Sequence, residues 1–236
     1  LLSAAIISSL VLLLKTIFKQ KQLAEVKNDL INNITHEFKT PIATIGVALE
    51  SITNFNAIDD KEKTKKYVNM SSNQLSKLNV MVEKLLETAS LDSDSLNLNI
   101  EEINSKAFIE AIISKHDFQL SNKTIEFEND VSNTIIKADA FHFENVINNI
   151  IDNAIKYGGD KITIDTKQTK SNFELSISDN GNSLKKADKD KIFEQFYRVP
   201  KGNTHDVKGF GIGLYYAKKI IEKHKGTIHV HLSNNA

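Results

Sequence analysis

The sequence contains no cysteine, and only two prolines and nine glycines occur in 236 residues. The absence of cysteine excludes disulfide bonds, thiolate metal sites and a cysteine nucleophile. The scarcity of proline and glycine indicates long helices and few tight turns. The chain also has no net charge, because 30 Lys and Arg residues balance 30 Asp and Glu residues. This balance argues against a protein that binds nucleic acid through bulk electrostatics.

The composition is that of a folded protein, with 40% hydrophobic, 25% charged and 7% aromatic residues. A disordered chain would have fewer apolar residues and a larger net charge. A chain of 236 residues fits one large domain or two modest ones.

The first residues, Leu1 to Leu14, contain no charged side chain. As a helix they would span about 21 Å, which is short of the roughly 30 Å hydrocarbon core of a bilayer. They lack the basic start and the small-residue cleavage site of a signal peptide. Lys15, Lys19 and Lys21 follow, and basic residues flank the cytoplasmic side of membrane helices. We therefore expect residues 1–14 to be the inner end of a truncated transmembrane helix, with a buried soluble helix as the alternative.

Two apolar stripes with three- and four-residue steps follow, one from Leu23 to Ile52 and one from Tyr67 to Ala89. They predict two long helices, and the polar segment from Asn54 to Glu62 predicts the loop between them. Two helices cannot enclose a core by themselves. We therefore expect this helical hairpin to dimerise into a four-helix bundle.

The chain changes character at residues 92–96, where polar residues indicate a linker. Beyond it, strands are expected at Leu96–Glu101, Thr124–Glu128, Thr134–Lys137, Lys161–Lys167, Phe173–Ser178 and Thr227–Leu232, and helices at Ser105–Leu120, Ala140–Tyr157 and Gly213–His224. The two strands that flank the segment 168–172 should pair. This alternation predicts an α+β domain, an α/β sandwich in which helices cover one face of a mixed sheet.

The first motif with chemical content is the segment from Ile34 to Ile42, which contains His36 and Glu37. A neutral imidazole is a nucleophile near pH 7, and a neighbouring carboxylate can orient it and accept its proton. Thr40 lies one helical turn beyond His36 on the same face. Pro41 indicates either a bend in one helix or a new helix that begins after Thr40 as its N-cap.

The second motif runs from Asn149 to Tyr157. Asn149 and Asn153 lie one turn apart on one helical face, where two amide oxygens could ligate a hard cation such as Mg²⁺. Lys156 follows on the same side and could meet phosphate. The alternative is that these residues only reflect an Asn-rich sequence.

Two further motifs contain glycine. Asp179 and Gly181 directly follow a predicted strand, and a carboxylate there could accept a hydrogen bond from the exocyclic amine of adenine; an ordinary turn is the alternative. Gly209, Gly211 and Gly213 open a predicted helix, whose backbone N–H groups and dipole form an anion site; a glycine hinge is the alternative.

The order and spacing of the motifs resemble the sensor histidine kinase family of two-component systems over roughly residues 20 to 232. The matching motifs are the H-box at His36, the N-box at Asn149 to Tyr157, the G1 box at Asp179 to Gly181, the F-box at Phe193 to Arg198 and the G2 box at Gly209 to Gly213. The resemblance implies a dimerisation and histidine phosphotransfer domain at residues 15–91. It also implies a gyrase-type ATP-binding domain at residues 97–236, with the final strand of the family missing.

The resemblance also implies a role for each matching position. His36 would be the phosphoacceptor and Glu37 its general base. Mg²⁺ would be held by Asn153 and Asn149, phosphate would be met by Lys156, and Tyr157 would lie against the nucleotide. Adenine would be recognised by Asp179, with Gly181 also in the nucleotide site; Arg198 would approach the γ-phosphate, and Gly209, Gly211 and Gly213 would line the phosphates. Residues 182–208 correspond to the ATP lid. Ser183 departs from the family, which usually has a second glycine there, so the first hinge of the lid differs.

The implied function is ATP-dependent autophosphorylation of His36 and phosphotransfer to an aspartate of a response regulator. The expected protein is a homodimer in the bacterial inner membrane, with residues after about 15 in the cytoplasm and no nucleic-acid partner. Thr40 completes an H-E-x-x-T motif, which in this family accompanies phosphatase activity toward the regulator. An ATP hydrolase is disfavoured because Asn149 stands where gyrase-like relatives carry a glutamate base. The remaining alternative is an ATP-binding scaffold of the same fold, acting mainly as a phosphatase or interaction module.

Overall fold

The computed structural model describes residues 2–54, 57–91, 96–116, 120, 122–129, 134–169, 172–199 and 210–232. The chain forms two compact units, one up to Glu87 and a second that contains most of the chain from Thr88 onward. The predicted linker lies almost entirely outside the described residues, as do Leu1, Gly209 and part of the predicted lid.

The first unit consists of two long helices, as predicted. Helix α1 spans Leu2–Asn54 and helix α2 spans Lys61–Leu91, with a 3₁₀ turn at Ala57–Asp59 between them. Asp60 caps α2, because its Oδ1 accepts hydrogen bonds from the backbone N–H groups of Glu62 and Lys63, both at 3.1 Å. The N–H and the ammonium of Lys63 hold the pKa of the Asp60 carboxyl below its usual value.

The predicted N-terminal apolar segment is helical in the structure. It belongs to the continuous helix α1, and the stretch Leu2–Lys21 is 20 residues long with no buried side chain among those described. At a rise of about 1.5 Å per residue, such a stretch matches the hydrocarbon thickness of a bilayer. By length and composition alone, this part of α1 is able to cross a membrane.

Helix α1 continues through Pro41, so the alternative of a separate helix capped by Thr40 is wrong. The Thr40 hydroxyl donates to the carbonyl of His36 at 3.4 Å, and the Thr44 hydroxyl donates to the carbonyl of Thr40 at 2.9 Å. Both contacts run back to the preceding turn, which is the bonding pattern of a threonine inside a helix. The apolar stripe on both sides of Pro41 outweighs the local preference for a helix start.

The second unit contains two small sheets and three helices among its described residues. Strands β1 (Glu101–Asn104) and β3 (Ile135–Ala138) pair antiparallel, and β2 (Thr124–Asn129), β4 (Lys161–Gln168) and β5 (Phe173–Asp179) form a mixed sheet in the order β2-β4-β5. Helices α3 (Ser105–His116), α4 (Ala140–Tyr157) and α5 (Gly213–Lys223) complete the unit. The α+β class, the mixed sheet and the β4–β5 hairpin are confirmed.

Two predicted strands are wrong. Residues 96–100 are irregular, and β1 begins only at Glu101, where pairing with Ala138 starts. The segment Thr227–Leu232 is also irregular. Its Ile228 packs against a cluster of apolar side chains, and no strand pairs with it within the described part of the chain. In both segments the apolar alternation reflects packing, because a strand also needs a neighbour with which to exchange hydrogen bonds.

Helix α4 lies at the centre of the second unit because it is apolar on two sides. One side contributes Phe143, Ile147 and Ile151 to a cluster with residues of β1, α3, β3 and β4. Another contributes Val146 to a cluster with α5, built from Leu91, Tyr216, Ala217 and Ile220. Burial of this kind is worth roughly 1.5–3 kcal/mol for each large side chain. The helix that carries Asn149 to Tyr157 is therefore firmly held.

The start of α4 is also fixed, because Asp139 is its N-cap. The carboxylate accepts from the backbone N–H of His142 at 3.0 Å and of Asn99 at 2.8 Å. Burial would raise the pKa of Asp139, but these two donors outweigh it and lower the pKa below its usual value. The cap thus ties the irregular segment before β1 to the first turn of α4.

Candidate phosphoacceptor and nucleotide sites

The first candidate site is a face of helix α1 in the first unit. His36 and Thr40 are exposed, and Glu37 is half-buried beside them. The hydrogen bond from the Thr40 hydroxyl to the His36 carbonyl is long, at 3.4 Å, so the hydroxyl is weakly held. An exposed imidazole with a carboxylate one residue away is accessible to another molecule. The imidazole on this face of α1 is therefore able to act as a nucleophile toward a molecule that docks there.

The second candidate site is in the second unit, where the end of α4 meets the end of β5. The carboxylate of Asp179 lies directly over Gly158, because a Cβ added to Gly158 would be 2.5 Å from Asp179 Cγ and 2.5 Å from the Ala154 carbonyl oxygen. Asp179 Oδ1 accepts from the backbone N–H of Gly181 at 2.8 Å. The structure thus brings Asp179 and Gly181 to the C-terminal end of the helix that carries Asn149 to Tyr157.

The side chain of Asn180 links the turn after β5 to the start of β4. Its amide donates to Asp160 Oδ1 at 2.7 Å, and its oxygen accepts from the backbone N–H of Lys161 at 3.0 Å. The Asn180 donor lowers the pKa of the exposed Asp160 carboxyl. Gly159 lies so close to the Asn180 side chain that a Cβ there would overlap it. Consecutive glycines are therefore required where the Asp179 turn closes over the helix end.

Ser183 has a specific contact at the position where the family usually has glycine. Its hydroxyl donates to the backbone carbonyl of Tyr157 at 2.9 Å, and the contact is partly buried. The last carbonyls of a helix have no partner within the helix, so this bond satisfies one of them. The bond also fastens the start of the predicted lid to the end of α4.

Lys123 is a second cap at the same helix end, and sequence reasoning missed it. Its ammonium donates to the carbonyl of Gly158 at 3.0 Å and reaches that of Ala154 at 3.5 Å. A cation at a helix C-terminus is favourable because of the helix dipole. Lys123 precedes β2 and is far from α4 in sequence, so only the sheet topology identifies the contact.

The F-box and the G2 box are adjacent through their backbones. The N–H of Phe196 donates to the carbonyl of Gly211 at 3.0 Å. Gly211 has a φ of 68°, and a Cβ there would be 2.7 Å from the carbonyl oxygen of Tyr197. The close approach therefore requires glycine at residue 211. Arg198 follows this contact directly and is half-buried.

Tyr197 is held by a carboxylate from the start of the predicted lid. Its hydroxyl donates to Asp188 Oδ1 at 2.6 Å, and Asp188 is buried. The hydrogen bond to this carboxylate, with burial, raises the pKa of Tyr197 to about 12. The residue before Arg198 is thereby fixed to the segment Lys186–Asp188, a 3₁₀ turn.

The start of helix α5 lies against the predicted metal-binding side of α4. A Cβ added to Gly213 would be 3.2 Å from Asn149 Oδ1. The structure thus brings Gly213 to Asn149 and Gly211 to the F-box, whereas Gly209 lies outside the described residues. Asn149 and Asn153 are both half-buried, one turn apart on α4. The N-box, the G1 box, the F-box and residues 211–213 of the G2 box belong to the second unit, whereas His36, Glu37 and Thr40 belong to the first.

The donors at α4 fit a magnesium ion held together with a nucleotide. No group of three His, Asp or Glu able to bind a metal occurs in the described ranges, so a purely protein-held site is not built there. Mg²⁺ usually takes one or two protein oxygens and completes its shell with water and phosphate. The amide oxygens of Asn149 and Asn153 match that requirement.

The chain matches two family models. Residues 26–94 match the His Kinase A (phospho-acceptor) domain, and residues 138–235 match the histidine kinase-, DNA gyrase B- and HSP90-like ATPase family. Sensor protein RprX of Bacteroides fragilis is 38% identical over 218 residues, which are 90% of this chain and 42% of RprX. The chain thus spans less than half of the length of this relative.

Solved structures agree with these matches. The histidine kinase AdeS of Acinetobacter baumannii is 28% identical with a TM-score of 0.60, covering 85% of this chain and 91% of AdeS. Histidine kinase ThkA, in complex with response regulator protein TrrA, is 26% identical with a TM-score of 0.62, covering 92% of this chain and 61% of that chain. The chain therefore belongs to the sensor histidine kinases of two-component systems and contains their phosphoacceptor and ATP-binding domains.

Proposed function

We propose that this chain is an ATP-dependent protein-histidine kinase that phosphorylates His36 and passes the phosphoryl group to an aspartate of a response regulator. The observation that carries the proposal is the Asp179 carboxylate, held over Gly158 at the end of the helix that bears Asn149 and Asn153. In this proposal, the carboxylate that would recognise the base and the groups that would meet the phosphates are parts of one site. We propose residues 15–91 as the phosphotransfer domain and 97–236 as the ATP-binding domain.

The nucleotide would lie between the end of α4 and the start of α5. Asp179 would accept from the exocyclic amine of adenine, which guanine lacks at that edge, while Gly181 donates to the other carboxylate oxygen. Tyr157 would lie against the nucleotide, and Lys156 would meet its phosphates. Gly209, Gly211 and Gly213 would line the phosphates at the N-terminus of α5, where backbone N–H groups favour anions.

Arg198 is the proposed partner of the γ-phosphate. It is the one arginine among the 30 basic residues of the sequence. A guanidinium binds phosphate oxygens through two parallel hydrogen bonds, which an ammonium cannot reproduce. The Tyr197–Asp188 and Phe196–Gly211 contacts hold the residues before Arg198, so its backbone position is defined.

Mg²⁺ would be held by the amide oxygens of Asn153 and Asn149, and when bound it neutralises charge on the phosphates. The reaction at His36 needs a nucleophile and a base. An imidazole nitrogen attacks the γ-phosphorus, the bond from phosphorus to the ADP oxygen breaks, and Glu37 accepts the proton from the imidazole. Asn149 cannot act as a base for water, so transfer to histidine is favoured over hydrolysis.

We expect Asp179→Asn to weaken ATP binding by about 1.5–3 kcal/mol, or roughly ten- to a hundredfold in Kd, because the charge-assisted hydrogen bond to adenine is lost. Calorimetric titration with ATP measures this. Asp165→Asn is the matched control, since it removes one carboxylate from the neighbouring strand β4 and should leave the Kd unchanged. An Asp179→Asn protein that binds ATP as tightly as wild type would refute the adenine site.

A response regulator is the proposed phosphoryl acceptor, since ThkA was solved with one bound. We propose that Thr40 also supports the reverse reaction. Its exposed hydroxyl lies one turn beyond His36 and could orient a water in line with an aspartyl phosphate docked on this face.

We expect Thr40→Ala to keep autophosphorylation and to slow dephosphorylation of the regulator by about 10–100-fold, or roughly 1.4–2.7 kcal/mol. Thr44→Ala is the control, because Thr44 also bonds back to the preceding turn of α1 and should leave both rates unchanged. The loss of radiolabel from the purified phosphorylated regulator measures the rate. Normal dephosphorylation by Thr40→Ala would exclude the phosphatase role of Thr40.

We further propose a homodimer anchored in the bacterial inner membrane by the start of α1, with residues after about 15 in the cytoplasm. Large apolar side chains on α1 and α2 are exposed in the single chain, among them Leu49, Leu75, Val82 and Leu86. Their spacing forms the stripes that a four-helix bundle would bury. The lysines after Leu14 support the cytoplasmic orientation.

A further inference from the structure

His116 is the last residue of α3 and is only 5% exposed. It lies against Asn148 and Asp152 of helix α4. A histidine with so little exposure needs partners for both ring nitrogens, because an unpaired polar atom is costly inside a protein. Its partners lie on the helix that carries the proposed nucleotide-contacting residues.

The two ring nitrogens of His116 face two residues of α4. Nε2 lies 2.9 Å from Asn148 Oδ1, which is hydrogen-bond distance. Nδ1 is fully buried, has no hydrogen-bond partner among the described residues, and lies 3.7 Å from Asp152 Oδ1. The other oxygen of Asp152 lies 3.8 Å from the ammonium of Lys156. The groups therefore form a line from the interior of the second unit to its surface.

The contact between Nδ1 and Asp152 is attractive only if Nδ1 carries a hydrogen. Without one, a nitrogen lone pair would face a carboxylate oxygen in a buried place. If Nε2 also donates to Asn148, the ring has both hydrogens. If the Asn148 amide is turned so that its NH₂ donates to Nε2, the neutral ring has its hydrogen on Nδ1. In both arrangements Nδ1 carries a hydrogen on the side of the ring where Asp152 Oδ1 lies, 3.7 Å away.

We propose that His116 is a positioning residue of the nucleotide site, which holds Asp152 and thereby keeps the Lys156 ammonium directed to the phosphates of ATP. This inference rests on the proposed function, in which Lys156 meets phosphate. The side chain of Lys156 is 50% exposed, and that of Asp152 is 29% exposed. An exposed pair of this kind, one helical turn apart, is weak by itself. A buried donor behind Asp152 is what makes one orientation of the carboxylate persist.

Two replacements of His116 separate positioning from packing. An asparagine places its NH₂ near the position of Nδ1, whereas a glutamine places its NH₂ near that of Nε2. Both remove the ring and should lower the melting temperature by similar amounts. We expect His116→Gln to raise the Kd of the full chain for ATP about tenfold, and His116→Asn to stay within a factor of about two of wild type.

The loss should act through Lys156. In a Lys156→Ala background, His116→Gln should therefore have no further effect on the Kd for ATP. Asp152→Asn provides a second variant on a partly exposed side chain, should either His116 variant fail to fold. It should weaken ATP binding about tenfold in the wild-type background and not at all with Lys156→Ala. Lys115→Ala is the surface control, since Lys115 pairs with Glu144 away from this line and should leave ATP affinity unchanged.

The outcomes distinguish this inference from the function on which it rests. Equal losses of affinity in both His116 variants, an unchanged Kd in Asp152→Asn, or a loss that persists without Lys156 would overturn the positioning role. A wild-type chain that binds no ATP would instead refute the proposed function. A chain that binds ATP normally and is insensitive to Asp152→Asn would refute the role of His116 alone.

Discussion

His36→Gln should abolish transfer of the γ-phosphoryl group of ATP to this protein and leave ATP affinity unchanged. Glutamine keeps a polar side chain of similar length but has no nucleophilic imidazole nitrogen. His36 is exposed on α1, so the change should not unfold the helix. The measurement is incorporation of radiolabelled phosphate from ATP with magnesium, together with an ATP titration.

The chemistry of the product identifies the acceptor. A phosphohistidine is expected to be labile in acid and stable in alkali, because its phosphorus–nitrogen bond breaks when the imidazole is protonated. His229→Gln is the matched control, since His229 is also exposed but lies in the second unit, and it should be labelled like wild type. Label that persists in His36→Gln, or that survives acid, would place the phosphoryl group on another residue.

Gly158→Ala should nearly eliminate ATP binding through a single added methyl group. The backbone at Gly158 has φ −77° and ψ −179°, which alanine adopts without strain, so the effect must come from contact. The Cβ would be 2.5 Å from both the Ala154 carbonyl oxygen and Asp179 Cγ. Since the helix carbonyl cannot move far, Asp179 must leave its place. We expect a loss of at least about a hundredfold in ATP affinity and about 1–3 kcal/mol in the free energy of unfolding.

The same substitution elsewhere is the control. Gly46 lies within helix α1, and no atom lies within 4 Å of an added Cβ. Gly46→Ala should raise the free energy of unfolding by roughly 0.5–1 kcal/mol, because alanine loses less backbone entropy in a helix. Its ATP affinity should equal that of wild type. ATP binding by Gly158→Ala at wild-type affinity would mean that Asp179 is not held in the nucleotide site.

The helices were the most predictable part of the fold. Helix α4 runs from Ala140 to Tyr157, as its periodicity predicts, because a strong apolar pattern, an Asp cap and a following Gly-Gly pair agree on its ends. Strand prediction was less successful. The alternation at Thr227–Leu232 looked like a strand, but local alternation does not reveal whether a neighbouring strand is present.

In the candidate sites, too, contacts within one helix were predictable from the sequence and contacts between distant segments were not. His36 with Glu37, and Asn149 with Asn153, are neighbours on single helices, so residue spacing alone predicts which groups share a face. The contacts of Ser183 with Tyr157 and of Lys123 with Gly158 join residues 26 and 35 positions apart. Sequence reasoning noticed Ser183 only as a departure from the family and did not notice Lys123.

The sequence by itself determined the family and the residues of each motif, because these depend on residue type and helical spacing. The tertiary structure decided what those residues contact. Asp179 lies over Gly158, and His116 reaches Asp152, only because β5 and α3 pack beside α4. Such contacts arise when chain segments that are distant in sequence bury a common core, and no local pattern records which side chains then meet.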